Sequence, residues 1–124
     1  VALIGVGNLG NGLLKYNFQK NHNTRIVVAF DTKAPFEGTT ISNIPVFHPD
    51  RLEEMYEEFG AELAILTVPS RSAQMMTDRL VKMNAKGILN FTPVRLSVPE
   101  TLKVMNIDLS VELQALIYLV RNSG

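Results

Sequence analysis

The chain has 124 residues, 46% of them hydrophobic and 19% charged, which suits one globular domain and excludes a disordered or collagen-like polymer. Lysine plus arginine (12) balances aspartate plus glutamate (12), so the basic surplus of a module that grips nucleic-acid phosphates is absent. There is no cysteine, which removes disulfides and thiolate metal sites and fits a reducing cytoplasm, and no apolar run is long enough to span a membrane.

No signal peptide is recognisable, and the chain opens inside an apolar run, Val1-Ala2-Leu3-Ile4, as a piece cut from a longer protein would. Residues 1–5 read as a short buried strand ending in the turn Gly5-Val6-Gly7-Asn8-Leu9-Gly10. Residues 8–20 carry Leu9, Leu13, Leu14 and Phe18 at helical spacing, and Asn21-His22-Asn23 breaks that helix. Residues 24–30 are rich in β-branched side chains and predict a strand that ends at Asp31. Residues 33–43 are polar and read as a loop, with a short third strand over 44–47.

Pro49 and Asp50 open a helix running to about residue 59, acidic in its early turns as the helix dipole favours, and Gly60 closes it. Residues 63–67 predict a strand and Val68-Pro69-Ser70 a turn, with Ser70 as N-cap of a helix over 72–83. A strand over 86–90 is followed by the turn Phe91-Thr92-Pro93, and residues 102–107 predict a sixth strand. Asp108 or Ser110 then caps a last helix ending near Asn122. This alternation predicts an α/β fold: a Rossmann-type, doubly wound, mainly parallel sheet of about six strands with helices on both faces. Residues 1–107 form the dinucleotide-binding domain, and 108–124 a separate C-terminal helix.

Three glycines at this spacing gain meaning from their context, after a strand, opening a helix, with an acid at the end of the next strand. Gly5 permits the tight turn, Gly7 lets the backbone approach a pyrophosphate, and Gly10 lets helix pack closely on strand. The amides of Asn8 and Leu9 lie at the helix N-terminus, where unpaired N–H groups favour an anion. Asp31 follows about twenty residues on, suited to both hydroxyls of a ribose and hostile to a 2′-phosphate. Thr32 and Lys33 continue that edge, and Lys33 works against the exclusion of NADP. Two further turns stand at the same edge. Thr67-Val68-Pro69 would pass near the pyrophosphate and inner ribose, and Phe91-Thr92-Pro93-Val94 would reach a nicotinamide. The expected ligand is NAD(H).

Catalytic chemistry is scarce. His22 and His48 have no carboxylate at a motif-like spacing and read as solvated surface, and no metal-ligand cluster occurs. Glu53, Glu54, Glu57 and Glu58 read as a solvated helix face, Arg71, Arg79 and Lys82 make no basic stripe, and Met75, Met76 and Met83 read as core filler. The last helix is apolar nearly all round, through Leu113, Leu116, Ile117, Leu119 and Val120. Such a helix must be buried on most sides, so it is expected to pack into a second subunit.

The stretches 2–10, Ala64-Ile65-Leu66-Thr67-Val68-Pro69, 87–96 and Val111-Glu112-Leu113-Gln114-Ala115-Leu116 resemble the Rex family of redox-sensing transcriptional repressors, in order and along essentially the whole chain. The resemblance implies a bacterial cytoplasmic homodimer. A winged-helix DNA-binding domain, missing from this chain, would precede the Rossmann domain, and NADH would release the repressor from operator DNA. It implies that Gly5, Gly7 and Gly10 hold the phosphates, Asp31 the adenosine ribose, and 90–94 the nicotinamide side. It further implies a switch between Tyr16 and Asp108 and a C-terminal helix exchanged between subunits. Leu109 would enter the partner's nicotinamide pocket, with Leu113, Leu116, Ile117 and Val120 at the dimer contact. Some members carry an aromatic residue at the position of Leu109, and Thr92 stands where a smaller residue is common. A domain on this pattern binds NADH in preference to NAD⁺ and is not an enzyme. The cofactor half of a dehydrogenase and a coenzyme A-binding domain are the competing readings.

Overall fold

The computed structural model describes residues 1–17 and 24–122, and for 109–112 the backbone alone. Among the described residues seven strands and four helices follow in the order β1 (Ala2–Ile4), α1 (Asn8–Tyr16), β2 (Val28–Phe30), β3 (Thr39–Ile41), β4 (Ile44–Phe47), α2 (Leu52–Glu58), β5 (Leu63–Leu66), α3 (Ser70–Lys82), β6 (Gly87–Asn90), β7 (Lys103–Asn106) and α4 (Leu109–Asn122). The sheet order is β3-β4-β2-β1-β5-β6-β7, parallel throughout except for the β3–β4 pair. The Rossmann-type α/β architecture expected from the alternation is present.

The strand count differs from expectation. Residues 39–41, read as loop, form an edge strand antiparallel to β4. Ser42 and Asn43 both take positive φ (50° and 66°), the geometry of a two-residue primed turn whose twist matches the strands it joins. Neither residue is glycine, so the usual sequence signal for such a turn is missing.

Helix boundaries shift for local reasons. α1 stops at Tyr16 because Asn17 turns left-handed (φ 41°), and its buried side chain bonds Ile26 at both backbone groups. Phe18, Lys20 and His22, on which the longer helix and its break were read, lie outside the described residues. Pro49–Arg51 is a 3₁₀ turn ahead of α2, capped by His48, whose Nδ1 accepts from the amide of Asp50 at 3.1 Å. His48 is therefore a capping residue. α3 begins at Ser70 itself, with Pro69 as N-cap and no side-chain cap, in place of a Ser70 cap.

Burial follows strand alternation. On one face Ala2, Ile4, Val28, Phe30, Ala64, Leu66 and Ile88 meet Leu52, Met55 and Tyr56 of α2 and Ala73, Met76 and Leu80 of α3. On the other, Leu14 of α1 covers Leu3, Ala29, Val46 and Ile65. Met76 is core as expected, whereas Met75 is exposed. Glu53 is exposed, as the solvated-face reading expected, and there pairs with Arg79 of α3 at 2.7 Å; Arg79 also donates to the carbonyl of Pro49. The two sheet faces are not equally covered. Over β5, β6 and β7, on the side of α1, an apolar groove of about 460 Å³ is lined by Leu63, Ile65, Leu89 and Met105, with Lys86 and Lys103 also on its wall.

Candidate functional site

Four parallel strands end on one line. Ile4 is paired with Phe30 and with Leu66, and Leu66 with Asn90. The next residues along β2, β1, β5 and β6 are Asp31, Gly5, Thr67 and Phe91, side by side at the carboxyl edge of the sheet. The ladder continues into that row: Gly5 donates to Phe30 O (2.8 Å), Thr67 to Ile4 O (2.9 Å) and Phe91 to Leu66 O (3.0 Å). The chain passes from β1 to β2 on one side and reaches β5 on the other, so β1 borders the crevice where open α/β sheets take ligands.

The glycines are needed for separate reasons. Gly5 has φ 97°, and a Cβ there would stand 2.9 Å from the carbonyl oxygen of Thr67. A Cβ on Gly10 would run into the carbonyl oxygen of Gly5, so α1 lies against the turn only because residue 10 is bare. Gly7 differs: it is exposed, and a Cβ there would meet nothing within 4 Å of the protein. Its bareness serves no internal contact and leaves the backbone open from outside. Gly7 caps α1 without a side-chain hydrogen bond, and Asn8 and Leu9, the first residues of the helix, are both exposed.

Thr67 braces this turn in a way the sequence reading missed. Its hydroxyl donates to the carbonyl of Gly5 at 2.6 Å, with the carbonyl of Ile4 at 3.3 Å. A threonine directly after a strand, one strand from a glycine turn, is the only sequence cue for such a brace. Asp31 is half-buried, its Oδ1 accepts from Lys33 N at 3.4 Å, and Thr32 and Lys33 are exposed beside it. Val68 packs on the core while Pro69 is exposed.

The loop after β6 is held from within. Asn90, fully buried, accepts at Oδ1 from Thr92 N (2.9 Å) and Thr92 Oγ1 (2.7 Å). Its Nδ2 donates to Val94 O and to Asn106 Oδ1, each at 2.9 Å. Thr92 spends its hydroxyl on this network and is buried. Phe91 and Val94 pack against opposite core clusters, and Pro93 is exposed.

The edge thus gathers Gly5, Gly7, Asn8, Leu9, Gly10, Asp31, Thr67 and Phe91, with the residues that follow them. Tyr16 ends α1 and Asp108 precedes α4, both exposed. On α4, Leu113, Leu116, Ile117 and Val120 are exposed, and the side chain of Leu109 lies outside the described residues. Among the described residues no group of three or more His, Asp or Glu could hold a metal ion, and no helix is long and apolar enough to cross a membrane.

Residues 1–94 match the CoA binding domain family. The chain belongs to that family. It is 77% identical over 122 residues to the redox-sensing transcriptional repressor Rex of Lysinibacillus sphaericus. It is 56% identical over 122 residues to Rex of Geobacillus kaustophilus. In each case 98% of this chain is covered but only 58% and 57% of the relative, so the chain spans little more than half of those proteins. Among solved structures, the Rex-family repressor RSP in complex with β-NADH superposes with TM-score 0.87 at 29% identity, over 98% of this chain and 59% of RSP. RSP in complex with β-NAD⁺ and operator DNA gives 0.84, over 98% of this chain and 56% of that one. UDP-D-quinovosamine 4-dehydrogenase from Vibrio fischeri, 18% identical with TM-score 0.64 over 91% of this chain and 83% of its own, shares the fold alone. The resemblance to Rex drawn from the sequence motifs stands.

Proposed function

We propose that this CoA binding domain is the NAD(H)-sensing part of a bacterial, cytoplasmic redox-responsive repressor, a regulator and not an enzyme. The observation that carries the reading is the row Asp31, Gly5, Thr67, Phe91 on one sheet edge, with a bare, externally open Gly7 beside it. The similarity to proteins named Rex, and to RSP in its NADH and NAD⁺ complexes, points the same way.

In this reading the turn Gly5, Gly7 and Gly10 admits the pyrophosphate to the amides of Asn8 and Leu9, and Asp31 accepts from the adenosine ribose hydroxyls, flanked by Thr32 and Lys33. Thr67, Val68 and Pro69 border the phosphates and inner ribose, and Phe91, Thr92, Pro93 and Val94 form the nicotinamide side. Phe91 and Val94 offer an apolar surface that suits a neutral dihydronicotinamide, whereas a cationic ring costs more to desolvate there. Residues 1–107 form the sensor and 108–124 an exchanged helix. Leu109, Leu113, Leu116, Ile117 and Val120 meet a second subunit, and Tyr16 and Asp108 take part in the switch. Operator contact belongs to the part of the repressor outside this chain. A ligand moves such an equilibrium only by binding one arrangement better than the other.

Parallel titrations with NADH, NAD⁺, NADPH and coenzyme A test the reading. NADH is expected to bind at least about tenfold more tightly than NAD⁺, a difference of about 1.4 kcal/mol. Equal affinities for the two would sink the sensing claim. Coenzyme A remains a second reading because of the family match. Asp31 disfavours it, being suited to a free ribose diol and not to a 3′-phosphate, so preferential binding of coenzyme A would overturn the NAD(H) assignment.

A further inference from the structure

We infer that Asn90 and Asn106 are a positioning pair that ties the ligand-side loop 91–94 to the root of α4; the inference rests on the NAD(H) reading above. Asn90 is the last residue of β6 and Asn106 the last of β7, in register with each other. The side-chain amide of Asn90 is completely used. Both acceptor sites serve Thr92, one N–H serves Val94 O, and the other serves Asn106 Oδ1. Rotating that amide by half a turn would set its NH₂ against the Thr92 amide and its oxygen against the Val94 carbonyl, so the surrounding groups fix its orientation. Thr92 Oγ1 in turn accepts from Val94 N at 3.3 Å, closing the loop on itself.

The same residue reaches α4 by a second route. Its backbone carbonyl accepts from Ile107 N at 2.9 Å, and α4 begins at Leu109. One buried residue therefore holds the loop through its side chain and the entry to α4 through side chain and backbone together. The Asn90 amide and Thr92 are shielded from water while Asn106 is exposed, so a bond broken at Asn90 leaves an unpaired group on the buried side. Movement of residues 91–94 around a ligand is therefore passed to Asn106 and Ile107, where the helix starts, instead of being absorbed by solvent. A strand-ending asparagine that only satisfied its own loop would need no partner on β7.

The test is hydrogen exchange across residues 107–112 with and without NADH, run beside NADH titration and thermal melting of each variant. In the parent chain NADH should slow exchange at this segment by at least roughly fivefold, the lower end of usual coupling between sites. Asn106→Leu removes the acceptor at an exposed position. It should bind NADH within about threefold of the parent, less than the usual coupling between sites, yet lose that slowing. Asn106→Asp keeps an acceptor oxygen for Asn90 Nδ2 and should restore the slowing. Asn106→Ala repeats the first variant should leucine disturb folding. If Asn106→Leu and Asn106→Ala keep the parent's slowing, or Asn106→Asp behaves like leucine, the pair is merely structural and the inference falls. A lowered melting temperature with coupling intact has the same meaning. If NADH does not bind the folded parent at all, the NAD(H) reading fails first and takes the inference with it.

Discussion

The two halves of the sheet are built from similar strands but are covered differently. Around β1, β2 and β4, helices α1 and α2 lie on opposite faces and Leu3, Ala29, Val28 and Phe30 are fully buried. Around β5, β6 and β7, α3 covers one face, while on the other Leu63 is 43% and Met105 69% exposed. The difference teaches that the half carrying the glycine turn is sealed on both faces, whereas the other half holds its edge loop through the buried Asn90 network. At the glycine turn, displacement by a single methyl group breaks contact between Gly10 and Gly5. The other half carries the loop 91–94 and the root of α4, joined through Asn90 and Asn106.

The sharpest way to break this comparison is truncation on either side of it. Leu3→Ala should cost about 3–5 kcal/mol in urea unfolding, as deletion from a sealed core does. Met105→Ala, on the bare face, should stay within about 0.5–1 kcal/mol. Similar losses at the two positions would mean that the groove is sealed by something in solution. The glycine turn sharpens the contrast within its own half. Gly10→Ala should cost about 1–3 kcal/mol through overpacking against the Gly5 carbonyl. Gly7→Ala, with open space for its methyl, should leave stability within about 0.5 kcal/mol. It should nevertheless weaken NADH at least about tenfold if a pyrophosphate approaches there. Loss of stability without loss of binding at residue 7 would reverse the assigned roles.

The smallest expected effect concerns Tyr56 of α2, 4% exposed, whose hydroxyl has no hydrogen-bond partner among the described residues. Burial, with Glu62 adding to it, pushes this phenol from 10.0 up to about 12. The folded state therefore favours the un-ionised form. Its contribution is intact below pH 10 and is lost as pH rises toward about 12. Tyr56→Phe should change stability at neutral pH by less than about 1 kcal/mol and flatten the fall above pH 10, read from melting at a series of pH values.

Much of this is legible in the sequence. The strand–turn–helix at residues 1–16, the acid at 31 and the turns after β5 and β6 follow from local spacing, and all four landed on one edge. The β3–β4 hairpin was not legible, because its Ser42-Asn43 turn uses positive φ without glycine. Nor was the end of α1, which Asn17 terminates by bonding Ile26 nine residues away. His48 as a cap escaped notice because histidine seldom fills that role.

By itself the sequence determined the alternation of strands and helices, the bare glycine turn and the apolar character of the last helix, since these depend on residue type and short-range periodicity. Only the tertiary structure decided the Thr67 brace, the Asn90–Asn106 pair and the uncovered face of β5–β7. Each of those depends on strand register and on which helices crossed to which face, and neither is written in any local pattern of residues.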